Sequence, residues 1–421
     1  MFRFLHAADI HLDSPLVGLE AYEDAPINEI RGASRRAFDN LIELAIDEEV
    51  DFLLLAGDLY DGDWKDYNTG LFFVDRMARL KRDGIQVFIV AGNHDAASRI
   101  TRSLRLPDNV TSFSTLKPET FILEEHDVAI HGQGYHSRSV TDDIASSYPL
   151  YTPHYFNIGL LHTALTGKKG HEPYAPCSLE TLTSKGYNYW ALGHIHKREK
   201  ISRNPFVVYP GNIQGRHIRE TGAKGATLVT VESGDITAID HRPLDVLRWT
   251  HCQVDLGGYE NSDDMYQLVR HSLEKEQDLA ENRTLAVRIE LSGASALHKE
   301  LLAQRDHWTE EFRALAASLG DMWLEKIVFK TRRITSLEEL TSEENPLTGL
   351  LHSIDKLDLA PDSLLDLVPE IASFKARLPP EILGGEDPFL SDDPQNFKKL
   401  REDIKELLIS ILSRHEGEGQ E

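Results

Sequence analysis

Five short segments hold most of the residues with which this chain could do chemistry. They are Asp9-Ile10-His11, Gly57-Asp58-Leu59-Tyr60-Asp61, Gly92-Asn93-His94-Asp95, Leu161-His162-Thr163 and Gly193-His194-Ile195-His196. Together they offer carboxylates, imidazoles and an amide, and no thiolate. Such an oxygen and nitrogen donor set suits Mn²⁺, Fe²⁺ or Zn²⁺ better than Ca²⁺ or an iron–sulfur cluster. The Asp58 carboxylate has two oxygens, so it can bridge two cations. Two cations about 3.5–4 Å apart can polarise a phosphoryl oxygen and generate a hydroxide at neutral pH. Any one segment alone is as well explained by a buried or surface histidine. The weight lies in all five occurring together in this order.

The elements around these segments must bring them to one place. Residues 2–8, 51–56 and 86–91 are continuous apolar runs with Gly or Asp at or just beyond the exit, and they read as buried strands. Between the first two, Phe38, Leu41, Ile42, Ala45 and Ile46 recur at helical spacing. Between the second two, Leu71, Val74, Met77, Ala78 and Leu80 do the same. A βαβαβ order of this kind implies parallel strands. Further strands are expected at 127–132, 156–161, 189–192, 206–209 and 226–231, the last followed by a tight turn at Ser233-Gly234-Asp235 and a strand at 236–242. Each of the five segments then falls just past the C-terminal end of a strand, the edge where open α/β sheets bind ligands. In Asp-x-His and His-x-His, positions i and i+2 of a strand would share one face.

The expected fold class is α/β: a layered α/β/β/α sandwich over residues 1–245, a small capping α+β domain over 246–333, and a helical segment over 334–421. The second part reads as strand 250–256, helix 263–275, strand 284–291, helix 297–319 and strand 323–330. The third is acidic and broken by prolines. In its last helix, 395–413, Phe397, Leu400, Ile404, Leu407, Leu408 and Ile411 fall on one face.

Bulk properties bound the partners. The chain has 421 residues, enough for two or three domains. No apolar run approaches the roughly 20 residues that would span a bilayer. The opening residues are too polar for a signal-peptide core, so a cytoplasmic protein is expected. The two cysteines, Cys177 and Cys252, suggest neither a disulfide framework nor a zinc knuckle. The net charge of −24 argues against nucleic-acid binding when taken alone, because phosphate contacts need Lys and Arg. The charge is uneven, however. Residues 332–421 hold 10 Lys/Arg against 20 Asp/Glu, while Arg99, Arg102 and Arg105, Lys168 and Lys169, and Arg216 and Arg219 cluster elsewhere.

The order D-x-H, G-D-x-x-D, G-N-H-D, H, G-H-x-H resembles the calcineurin-like metallophosphoesterases. Within them it is most similar to the SbcD-type DNA repair exonucleases, and among these to the bacterial YhaO branch. Leu5–Pro15, Tyr189–His196 and Tyr209–Arg216 carry that likeness. It is strong over 1–245 and a matter of layout beyond. The resemblance implies one divalent ion held by Asp9, His11, Asp58 and His196, and a second by Asp58, Asn93, His162 and His194, with Mn²⁺ expected. It implies that His94 contacts the scissile phosphate without binding metal, oriented by Asp95. Asp61 stands where some members have His, and its role is left open. DNA is the implied substrate and an SbcC-like coiled-coil ATPase the implied partner, gripped by the C-terminal helices; a homodimer is left open. A phosphatase or small-molecule phosphodiesterase, or a docking subunit with a vestigial site, are the competing readings.

Outside the motifs, Arg216 and His217 follow a Pro-Gly-Asn turn and His171 sits in a Gly-rich loop, so these three are candidate substrate contacts. His131 and His6 are read as structural. Asp13 and Ser14 are read as caps of a following helix.

Overall fold

A computed structural model describes residues 1–14, 16, 32–61, 67–97, 105–165, 175–333, 353–354 and 405. The first sheet joins β1 (Phe2–Ala7), β2 (Phe52–Ala56), β3 (Gln86–Val90), β4 (Val110–Ser112), β11 (Gly225–Glu232) and β12 (Asp235–Pro243) in the order β12-β11-β1-β2-β3-β4. The four strands β1 to β4 are parallel, as the βαβαβ pattern requires, and β11 and β12 add an antiparallel hairpin. The second sheet joins β5 (Glu119–Leu123), β6 (Val128–Gln133), β7 (Phe156–His162), β8 (Tyr189–Gly193), β9 (Glu199–Arg203) and β10 (Phe206–Tyr209) in the order β5-β6-β7-β8-β10-β9. Its four inner strands are parallel and both edges are antiparallel.

Side-chain parity explains the layers. Successive residues of a strand point to opposite faces. On β2, Leu53 and Leu55 pack with Phe38, Leu41 and Ile42 of α1 (Ala33–Asp47) and with Phe73, Met77 and Leu80 of α2 (Asn68–Arg82). Phe52, Leu54 and Ala56 face the other way, into a core shared with Phe4, Phe88, Ile130, Ile158 and Tyr189 between the sheets. The outer face of the second sheet, with Trp190, Leu192 and Tyr209, is covered by Tyr148 and by Leu182 of the short helix Leu179–Ser184. The order is therefore α/β/β/α. Leu71 is a departure: it is exposed, because Phe73, Met77 and Leu80 already fill the 3.6-residue stripe that meets the sheet.

Three strands were not expected from the sequence: β4, β5 and β9. All lie at sheet edges and are short or charged, and half-exposed edge positions carry no apolar run to read. A third sheet has the order β13-β14-β15, formed by β13 (Leu247–Asp255), β14 (Thr284–Ala294) and β15 (Met322–Arg332). Its helices are Ser262–Leu279, His298–Ala303 and Arg305–Ser318. The last two replace the single helix expected over 297–319. The chain leaves helical geometry at Gln304, where no Gly or Pro marks the break.

By compactness the chain divides into two units. One comprises Met1–Cys252, Leu273–Arg288 and Ala316–Lys326; the other comprises Gln253–Ser272, Ile289–Leu315 and Ile327–Glu421. Apart from Lys405, the helix expected over 395–413 lies outside the described residues. Among the described residues, no helix is long and apolar enough to cross a membrane.

Candidate active site

The five segments meet at the C-terminal edge of the two sheets. Asp9 and His11 follow β1, Asp58 follows β2, and Asn93 and His94 open the short helix Asn93–Ala97 after β3. His162 ends β7, and His194 and His196 follow β8. The Asp9–His11 pair is not placed by strand parity. Asp9, His11 and Asp58 all have left-handed backbone, with φ of 51°, 46° and 51°. Their backbones are cross-tied, Asp9 N–H to the Gly57 carbonyl and His11 N–H to the Asp58 carbonyl, each at 3.0 Å. Non-glycine residues held at positive φ are costly and cluster where function needs them.

The donors converge. Asp9, His11 and His196 form one group of ligand-type atoms within 4.8 Å of one another, and Asp9, Asp58 and His162 form a second. Asp9, Asp58 and His162 are buried. Asp58 Oδ2 lies 3.4 Å from His162 Nε2 and 3.9 Å from His11 Nε2. Asn93 Oδ1 is 3.0 Å from His162 Nε2. His194 donates its backbone N–H to the Asp9 carboxylate, and its ring packs edge-on to His162 at 5.2 Å.

The outward ring nitrogens of His162 and His196 are anchored. His162 Nδ1 donates to the Ala56 carbonyl at 2.9 Å, and His196 Nδ1 donates to Glu220 Oε1 at 2.6 Å. His11 turns Nδ1 toward Asp61 Oδ1 at 3.4 Å. Each ring thus presents Nε2 inward, and His196 Nε2 sits 3.3 Å from His11 Nε2 and 3.9 Å from Asp9 Oδ1. Anchored imidazoles and carboxylates aimed at one point are what a metal-binding cluster requires. The electrostatics agree. Burial, with Arg216 nearby, holds the His11 imidazole down to about 3, so it is a neutral base. Burial works against the His162 cation, but the Asp58 carboxylate prevails and lifts it to about 9. Burial pushes the Asp9 carboxyl up, whereas His162 and His11 hold Asp58 well below the usual range despite its burial. The cluster calls for positive charge, and the residues present fit divalent metal ions.

His94 stands at the rim, its ring 4.9 Å from that of His11. Asp95 does not orient it. The Asp95 carboxylate is turned into the loops, accepting backbone N–H groups from Leu59, Tyr60 and Gly92 at 3.0–3.2 Å. It ties the Gly57–Asp61 segment to Gly92, and no bond runs to the neighbouring ring because the helical turn points the two side chains apart. His94 Nδ1 instead meets Asp61 Oδ1 at 3.1 Å, and that bond raises its pKa against burial. Asp61 also accepts from Ser14 Oγ at 2.9 Å and lies 3.7 Å from Arg216 Nη1. Ser14 and Asp13 therefore serve the site's surroundings, Asp13 pairing with both Arg35 and Thr69.

Glu220 was not singled out in the sequence. It is a lone acidic residue outside the motifs, and only its position behind an H-x-H pair hints at it. His217 stands 3.6 Å from it. His171 lies outside the described residues. His131 is stacked on Tyr187 and bonded to Thr120 and Asn157, and His6 is buried against Tyr189 and Leu192; neither reaches the cluster.

The calcineurin-like phosphoesterase family model matches residues 2–198, the span holding the whole donor cluster. A Bacillus subtilis protein described as an uncharacterized metallophosphoesterase, YhaO, is 36% identical over 368 residues, covering 85% of this chain and 88% of its own. The chain belongs to the calcineurin-like metallophosphoesterase family. Members of this family use divalent metal ions, in keeping with the donor set here. A second family model, the middle domain of metallophosphoesterase YhaO, matches residues 249–332. A DNA double-strand break repair protein Mre11 from Sulfurisphaera tokodaii is 28% identical over 261 residues, 58% of this chain and 63% of that protein. Among solved structures, a dimetal phosphatase from Danio rerio aligns at a TM-score of 0.34 and 14% identity, over 55% of this metallophosphoesterase chain and 93% of its own.

Proposed function

We propose that this metallophosphoesterase is a two-metal-ion DNA phosphodiesterase acting at DNA ends, with Mn²⁺ as its working ion. Two adjoining groups that share Asp9, one with His11 and His196 and the other with Asp58 and His162, carry the chemistry. The motif resemblance to SbcD-type nucleases and the break-repair relative support DNA as the substrate.

Ions bound in the cluster would supply Lewis acidity at a phosphoryl oxygen and activate a water. The chain's own residues do the rest. Asp9 and Asp58 would set the negative charge that holds the ions, and His11, Asn93, His162, His194 and His196 would complete the two sets. His94, half-buried and with its pKa raised by the bond to Asp61, is placed to give its ring proton to the departing oxygen. Arg216, beside Asp61 and 3.5 Å from Ser14 Oγ, brings a guanidinium to the rim for the phosphate. His217 flanks the same rim. The acidic stretch 334–421 is proposed to grip an SbcC-like ATPase, which would supply the positive surface that a chain of net charge −24 lacks.

The test is end-labelled linear DNA, single- and double-stranded, with Mn²⁺, with and without the ATPase. Nucleotide release from ends that stops on chelation is the expected result. Cleavage of a chromogenic phosphodiester or a phosphomonoester with DNA left intact would replace the DNA reading. No turnover of any of the three, with metal bound, would leave a docking subunit.

A further inference from the structure

We infer that Glu220 is a positioning residue that selects the metal-binding tautomer of His196, and so sets the affinity of one of the two ions; this rests on the two-metal reading above. The carboxylate is buried and its two oxygens are used differently. Oε2 accepts from Asn212 Nδ2 at 2.8 Å and from the Arg216 backbone N–H at 2.7 Å. Both partners can only donate, so they fix an acceptor there. Oε1 accepts from His196 Nδ1 at 2.6 Å, whereas His217 Nε2 at 3.6 Å and Arg216 Nε at 3.8 Å lie beyond bonding distance. An ionised carboxylate can only accept, so His196 must carry a proton on Nδ1, and in the neutral ring Nε2 is then the nitrogen with the lone pair, turned toward Asp9 and His11.

The loop behind His196 is built to hold this arrangement. Asn212 N–H and Lys224 Nζ both donate to the His196 carbonyl, at 3.4 and 3.2 Å, and Asn212 Nδ2 also donates to the Gln214 carbonyl. In Glu220→Gln the amide oxygen is held at the Oε2 position by those same two donors. Its NH₂ then faces His196 Nδ1 and demands an acceptor there. The ring proton moves to Nε2, where it blocks the metal. The change is nearly isosteric, so the fold is retained while the tautomer is inverted.

The experiment is a calorimetric Mn²⁺ titration of the full chain and of Glu220→Gln, with NMR of the ring nitrogens in the Zn²⁺-loaded wild-type protein. The wild-type chain is expected to take up two ions. Glu220→Gln should bind one of them about 10–100-fold more weakly, the range for losing a partner behind a ligand, and leave the other unchanged. In the Zn²⁺-loaded protein His196 should show its proton on Nδ1. A folded Glu220→Gln that binds both ions with wild-type affinity overturns the assignment of Glu220 alone. So does a His196 proton on Nε2 in the wild-type protein, which needs no variant. A wild-type chain that does not take up two ions overturns the two-metal reading itself.

Discussion

At Asp58 one carboxylate serves two loops and two histidines. Its Oδ1 accepts the His94 backbone N–H at 2.9 Å, and its Oδ2 faces His162 and His11. Asp58→Ala is therefore expected to abolish turnover and to lower the bound metal measured by elemental analysis, because the carboxylate proposed to serve both ions is gone. Wild-type turnover by the purified variant would refute the bridging role. His94 differs: it meets Asp61 at the rim, outside the two groups that share Asp9, and forms a third group with His11 and Asp61. His94→Asn should keep its metal while the rate falls by about 10²–10⁴, as for a lost general acid. Loss of an ion in that variant would make His94 a ligand. Asp61→Asn should lower the rate by about 10–100-fold, because the carboxylate faces both the His94 ring and the outer nitrogen of His11.

The elements work through close approach. The backbone of β3's exit passes so near β2's exit that a Cβ on Gly92 would overlap the Asp58 carboxylate, and one on Gly193 would strike the Ala56 carbonyl. These contacts explain why the motifs open on glycine. Gly92→Ala is expected to disturb the Asp58 side chain first, so Mn²⁺ affinity in a titration should fall further than the melting temperature. An equal affinity in a folded variant would show that the loop simply shifts aside. The intersheet core is set by a different rule. Phe4 stacks on Phe52 at 5.1 Å and meets Tyr189 edge-on at 5.3 Å. Phe4→Ala should cost about 3–5 kcal/mol in denaturant unfolding, the usual cost of deleting a buried aromatic ring.

At the scale of the whole molecule, ions that bind only the folded cluster must stabilise the fold. Mn²⁺ at 100 times its dissociation constant is expected to add about 2.7 kcal/mol for one site, read as a rise in melting temperature that chelator reverses. No rise would mean that the inward-facing donors hold no ion. The acidic stretch 334–421 belongs to the same scale. Deleting it is expected to leave a folded, metal-loaded phosphoesterase that no longer retains the ATPase in a pull-down. Unchanged retention, or aggregation of the shortened chain, would assign its apolar stripe to this chain's own core.

Much of the site was legible in the sequence because chemistry restricts residue type. Asp, His and Asn recur at successive strand exits, and the structure gathers Asp9, His11, Asp58, His162 and His196 into two adjoining groups; period-2 and period-3.6 apolar patterns placed the parallel strands and their helices. The edge strands β5 and β9 escaped because half-exposed positions tolerate Glu, Lys and Ser. The partners of the site were legible least. Asp95 adjoins His94 in sequence, yet the helical turn sends its carboxylate to three backbone N–H groups, and Asp61 reaches the ring instead. Glu220 lies 24 residues from His196. Nothing local to either residue requires the bond between them. Only the return of the chain through the Pro-Gly-Asn turn brings the carboxylate behind the ring. Sequence determined which residues could bind metal, because that depends on side-chain chemistry. Tertiary structure decided which neighbours orient them, because that depends on where distant segments close.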